Sequence, residues 1–104
     1  MELVTEIYQA TGSFPKEEMF GLTSQIRRAA VSVAANIVEG QSRSSKKEFT
    51  QFLRVANGSL VEVEYYIGLT KDLGYITETD YTLLFELCTR IKMMLYKLIK
   101  SLAA

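Results

Sequence analysis

The sequence predicts an all-α protein: an antiparallel, up-down-up-down four-helix bundle whose first helix is short or truncated. Three observations predict it. Apolar residues recur at steps of three and four in four separate segments. No segment alternates apolar and polar residues for long enough to demand a strand. The only proline, Pro15, falls between the first two helical segments.

The first segment, from Glu2 to Thr11, carries Leu3 and Ile7 with Val4 and Tyr8 beside them. It stops at Thr11-Gly12-Ser13, just ahead of Pro15. The second runs from Leu22 to Glu39, where Leu22, Ile26, Ala29, Val33 and Ile37 make one apolar stripe. Gly40 is expected to close it, because glycine readily takes the left-handed conformation that many helix ends require. The third opens at Ser45-Lys46-Lys47-Glu48, a capping box in which the serine oxygen accepts an early backbone N–H. Its stripe is Phe49, Phe52, Leu53, Ala56, Leu60, Val63 and Ile67, and Gly74 ends it. About 28 residues at roughly 1.5 Å each give a rod of about 40 Å.

The fourth opens at Thr77-Glu78-Thr79-Asp80, with Ile76 placed to staple onto Tyr81. Leu84, Leu87, Ile91, Leu95, Leu98 and Leu102 follow, and Lys97 and Lys100 sit where the helix dipole favours cations. Short connections favour antiparallel neighbours, hence one bundle over residues 1–104. The first segment is far shorter than its partners, so either the bundle is lopsided or residues upstream of Met1 are missing.

Composition narrows the function. With 48% hydrophobic and 23% charged residues the chain sits in the globular range. Twelve basic residues balance twelve acids, so no overall field draws it onto nucleic acid or membrane. No apolar run reaches membrane-spanning length. The start, MELVTEIYQ, lacks the layout of a secretion signal, and the lone Cys88 fits a reducing cytoplasm. No histidine is present, which excludes Ser-His-Asp and Cys-His catalysis, Cys/His zinc sites and Glu-x-x-His di-iron sites. No cofactor or metal is expected, and no enzymatic activity.

Two helices carry a second apolar face. At about 100° per residue, Val31 and Val38 lie away from the core stripe of the second helix, with Ala34 and Ala35 near them. Gly58, Val61, Tyr65 and Leu69 do the same on the third. Coherent second faces predict self-association, with Val31, Val38, Tyr65 and Leu69 at the interface. Tyr65, Tyr66, Met93, Met94 and Cys88, all at helical spacing, are otherwise read as packing residues.

Polar residues follow one flank of the second helix: Gln25, Arg28, Ser32, Asn36 and Glu39. They read as a hydrogen-bonded seam against a neighbouring helix or subunit, with Glu39 answering an arginine such as Arg43. A small-ligand pocket on the same residues is the alternative. Charge is uneven along the chain. Between Arg27 and Arg54, the basic residues Arg27, Arg28, Arg43, Lys46, Lys47 and Arg54 face only Glu39 and Glu48. The fourth helix adds Arg90, Lys92, Lys97 and Lys100. Lys46 and Lys47 occupy a first helical turn, where the dipole prefers acids, which suits contact with an anionic partner.

The run FPKEEMFGLTSQIRRAAVSVAANIVEGQSR, followed by KKEFTQFLRVANGSLVEVEYY, resembles the four-helix bundle family of 23S rRNA intervening sequences. It is also similar to the accessory proteins of diversity-generating retroelements. The resemblance rests on Phe14-Pro15, Leu22, Gln25, Arg28-Ala29, Ser32, Asn36-Ile37, Glu39-Gly40, Arg43, Glu48-Phe49, Phe52-Leu53, Ala56, Gly58-Ser59 and Glu62. It implies an up-down bundle, assembly into a ring (pentamers occur in the family) and no known enzymatic activity. In the retroelement branch it implies binding of nucleic acid and a reverse transcriptase through a basic surface. The chain departs from that pattern in its late-starting first helix and its zero net charge. The function expected is a homo-oligomeric helical scaffold binding nucleic acid or a nucleic-acid-processing protein, with Arg27, Arg43, Lys46, Lys47 and Arg54 as contacts. A protein-only interaction scaffold is the alternative.

Overall fold

In the computed structural model, residues 1–103 are described. They form four helices: α1 (Glu2–Thr11), α2 (Leu22–Gln41), α3 (Lys46–Asp72) and α4 (Glu78–Ala103). A turn of 3-10 helix, Lys16–Glu18, leads into α2. The expected all-α bundle is what forms, as a rod of 45 × 24 × 18 Å.

Side-chain pairs fix the helix directions. Ser32 meets Ser59 at 2.8 Å, and Gly40 lies against Phe49 and Phe52, so α2 and α3 run antiparallel. Lys71 meets Glu78, and Glu64 meets Lys92, so α3 and α4 do too. The short helix α1 contacts α2 and α4 but not α3. One pole of the rod therefore collects the end of α2, the start of α3 and the end of α4.

Each helix buries most of the stripe its spacing predicts, while Leu22, Phe49, Phe52, Ile91, Leu98 and Leu102 are half-buried. Leu3 and Ile7 of α1, Ile26, Ala29, Val33 and Ile37 of α2, and Leu53, Ala56, Leu60, Val63 and Ile67 of α3 are all buried. Leu84, Leu87, Cys88 and Leu95 complete the core from α4. Each fully buried Leu or Ile contributes roughly 1.5–3 kcal/mol by leaving water.

The helix ends match the sequence in three places and depart from it in one. Ser45 Oγ accepts the Glu48 N–H at 3.1 Å and Thr77 Oγ1 accepts the Asp80 N–H at 3.1 Å, so both caps form. Gly74 takes φ +77°, with its N–H donating to Lys71 and the Tyr75 N–H to Thr70, a Schellman ending of α3. Gly40 does something other than expected. It lies inside α2, buried and without positive φ, and the helix continues to Gln41. A Cβ there would come 2.8 Å from Phe49 Cδ1 and 2.9 Å from Phe52 Cβ. Glycine is required at this position by the close approach of α3.

Candidate nucleic-acid interface

The formal charge of zero hides a separation. The pole formed by residues 33–60 and 93–103 carries Arg43, Lys46, Lys47, Arg54, Lys97 and Lys100 against Glu39 and Glu48 alone. The rest of the chain holds the other ten acids and six basic residues, Lys16, Arg27, Arg28, Lys71, Arg90 and Lys92. At physiological salt charges are screened over about 8 Å. A ligand at one pole of a 45 Å rod therefore does not feel the other.

At the edge of the basic pole, α3 and α4 enclose a groove of about 510 Å³ lined by Arg54, Asn57, Val61, Lys92, Tyr96, Ile99 and Lys100. Helical spacing places Arg54, Asn57 and Val61 along one wall at steps of three and four. Lys92, Tyr96 and Lys100 line the other at steps of four. Val61 and Ile99 give the groove an apolar lining. Lys92 bridges to Glu64 of α3 at 2.9 Å, which ties the walls together. Arg54 and Lys100 have no acidic partner among the described residues. Tyr96 is 65% exposed, with Lys100 Nζ 6.0 Å from its ring centroid.

The five basic residues singled out in the sequence do not converge. Lys46 and Lys47 stand exposed at the start of α3, and Arg54 lines the groove. Arg43 shares the pole but is engaged: it pairs with Glu39 at 2.5 Å and its guanidinium stacks over Phe52 at 4.9 Å. Arg27 lies on the acidic part of the rod. Its Nε donates to Thr11 Oγ1 at 2.8 Å and its guanidinium covers the Tyr8 ring at 4.5 Å. That residue clips α1 onto α2. Asn57 and Tyr96 were missed, and Lys92 and Lys100, noted as cations of the fourth helix, were not joined to Arg54, because spacing within a helix carries no register between helices.

The polar seam forms at its centre. Asn36 Nδ2 donates to the Ser32 carbonyl at 2.8 Å and to Ser32 Oγ at 3.1 Å, and Ser32 Oγ meets Ser59 Oγ. Glu39 takes Arg43 as its partner, bracing the α2–α3 turn. Gln25 and Arg28 stay on the same flank, away from this network.

The second apolar faces lie on two separate flanks. Val31 and Val38 share a stripe with Arg27, which faces α1, whereas the Ser32–Asn36 stripe faces α3. Val31 (41% exposed) and Val38 (65%) are therefore apart from Tyr65 (65%) on the outer side of α3. Leu69 is half-buried. Tyr65, Met93 and Met94, read as packing residues, are instead exposed, as is Phe20 before α2. Their helical spacing places them just outside the buried sector. Cys88 is fully buried, and burial, aided by Glu64 and opposed by Lys92, pushes its thiol up to about 12. Among the described residues, no helix is long and apolar enough to cross a membrane, and no cluster of His, Cys, Asp or Glu could hold a metal.

Comparison with known proteins agrees with this architecture. The family model for the 23S rRNA-intervening sequence protein matches residues 1–97, and the chain belongs to that family. The fold is similar to the crystal structure of a protein of unknown function from the S23 ribosomal protein family of Bacteroides thetaiotaomicron. That likeness has a TM-score of 0.86 at 28% identity, over 95% of this chain and 89% of the other. No curated protein matches the chain.

Proposed function

We propose that the protein is a non-enzymatic, self-associating helical scaffold that binds nucleic acid, or a nucleic-acid-processing protein such as a reverse transcriptase, through its basic pole. The observation that carries the reading is the segregation of six basic residues with two acids at one end of a neutral rod. Polyanion binding draws on local cation density, which the net charge conceals.

Self-association is supported by the two apolar flanks. A closed ring needs two different faces on each subunit, one for each neighbour, whereas a two-fold dimer needs one. Val31 with Val38, and Tyr65 with the edge of Leu69, supply candidates for the pair. Repeating the subunit around a ring would multiply the basic pole.

Size-exclusion chromatography with multi-angle light scattering, run with and without a single-stranded RNA, tests both parts. At micromolar protein the reading predicts a multimer that co-elutes with RNA in low salt and sheds it in high salt. A monomer removes the scaffold, and RNA absent from the low-salt peak removes the nucleic-acid role.

A further inference from the structure

Phosphate contacts by themselves need only cations, yet the α3–α4 groove adds a ring, an amide and an apolar lining. Tyr96 is two-thirds exposed and pairs with no other ring among the described residues. A base laid on its face would have the Lys100 ammonium beside it. Asn57, half-buried across the groove, offers both a donor and an acceptor to a base edge. Arg54 and Lys100 stand on opposite walls with no acid to neutralise them.

In a duplex the base faces are stacked and the pairing edges occupied, so Tyr96 and Asn57 gain nothing from one. An unpaired base has free faces and a free edge. We propose that the groove holds one unpaired nucleotide of a single strand, its base stacked on Tyr96 and its flanking phosphates on Arg54 and Lys100. This rests on reading the basic pole as a nucleic-acid surface and goes further by naming the form of nucleic acid recognised. Stacking on one ring tolerates every base, so the site prefers single strands without selecting a sequence. Lys92, held by Glu64, keeps the groove walls in place.

Fluorescence anisotropy at low salt, on the full chain, tests it with a labelled single-stranded oligonucleotide and a duplex of the same sequence. Tyr96→Ala should weaken single-strand binding about tenfold and leave duplex binding unchanged. Tyr96→Phe should bind as the parent does. Arg54→Gln with Lys100→Gln should weaken both forms and flatten the salt dependence. All three positions are exposed, and unchanged thermal unfolding checks that each variant folds. The proposal is overturned if Tyr96→Ala leaves single-strand binding intact or weakens both forms equally while the parent still binds, and the basic-pole reading then survives. If the parent binds neither form, that reading fails and the groove assignment with it.

Discussion

Cys88 shows how position decides the chemistry of a single residue. Its side chain is fully enclosed by the core, where a thiolate would lose its hydration, so the thiol stays protonated through neutral pH. Labelling of the native protein by a thiol reagent at pH 8 should therefore proceed only as fast as the helix bundle opens, and denaturant should accelerate it sharply. Rapid labelling of the native state would place the thiol outside the core. Arg27 and Arg43 make the same point for charge. Both are arginines in a basic stretch of sequence, and both have partners within the chain, one on α1 and one in Glu39 and Phe52. Their place in the sequence marked both as partner-binding cations; the Glu39–Arg43 pair was legible there, whereas the hold of Arg27 on α1 needed the geometry.

At the scale of helices, most of the architecture was legible because helical spacing, caps and stops are local signals. Ser45, Thr77 and Gly74 act as their positions in the sequence suggest. Gly40 misled because two physical demands select glycine, a left-handed ending and a close approach, and sequence alone does not separate them. The 3-10 turn at Lys16–Glu18, too short for a periodic signal, went unread. Substitution distinguishes the roles of glycine. Gly40→Ala should cost about 1–3 kcal/mol by driving a methyl into Phe49 and Phe52, despite the gain in helix propensity. Gly58→Ala, with nothing within 4 Å of the new methyl, should stabilise by about 0.5–1 kcal/mol. Urea unfolding measures both, and stabilisation by Gly40→Ala would show that α2 and α3 are not closely packed there.

For the molecule as a whole, the decisive fact is where charge sits, and only the antiparallel path of α2, α3 and α4 reveals it. Arg54 of α3 and Lys97 of α4 are far apart along the chain, and folding brings their helix ends to one pole. That convergence was not legible in the sequence, which shows a basic stretch from Arg27 to Arg54 and a basic fourth helix but not which of their residues meet at one end. Two variants with equal charge change test it most directly. Lys46→Gln, Lys47→Gln and Lys97→Gln together remove three cations from the basic pole. Lys16→Gln, Arg28→Gln and Lys71→Gln together remove three from the acidic remainder. In a salt-titrated assay with single-stranded RNA, the first set should weaken binding and reduce the log–log salt slope by roughly 0.7 for each phosphate no longer neutralised. The second should bind as the parent does. Equal weakening by both sets, or none by either, would contradict a localised basic pole as the binding surface.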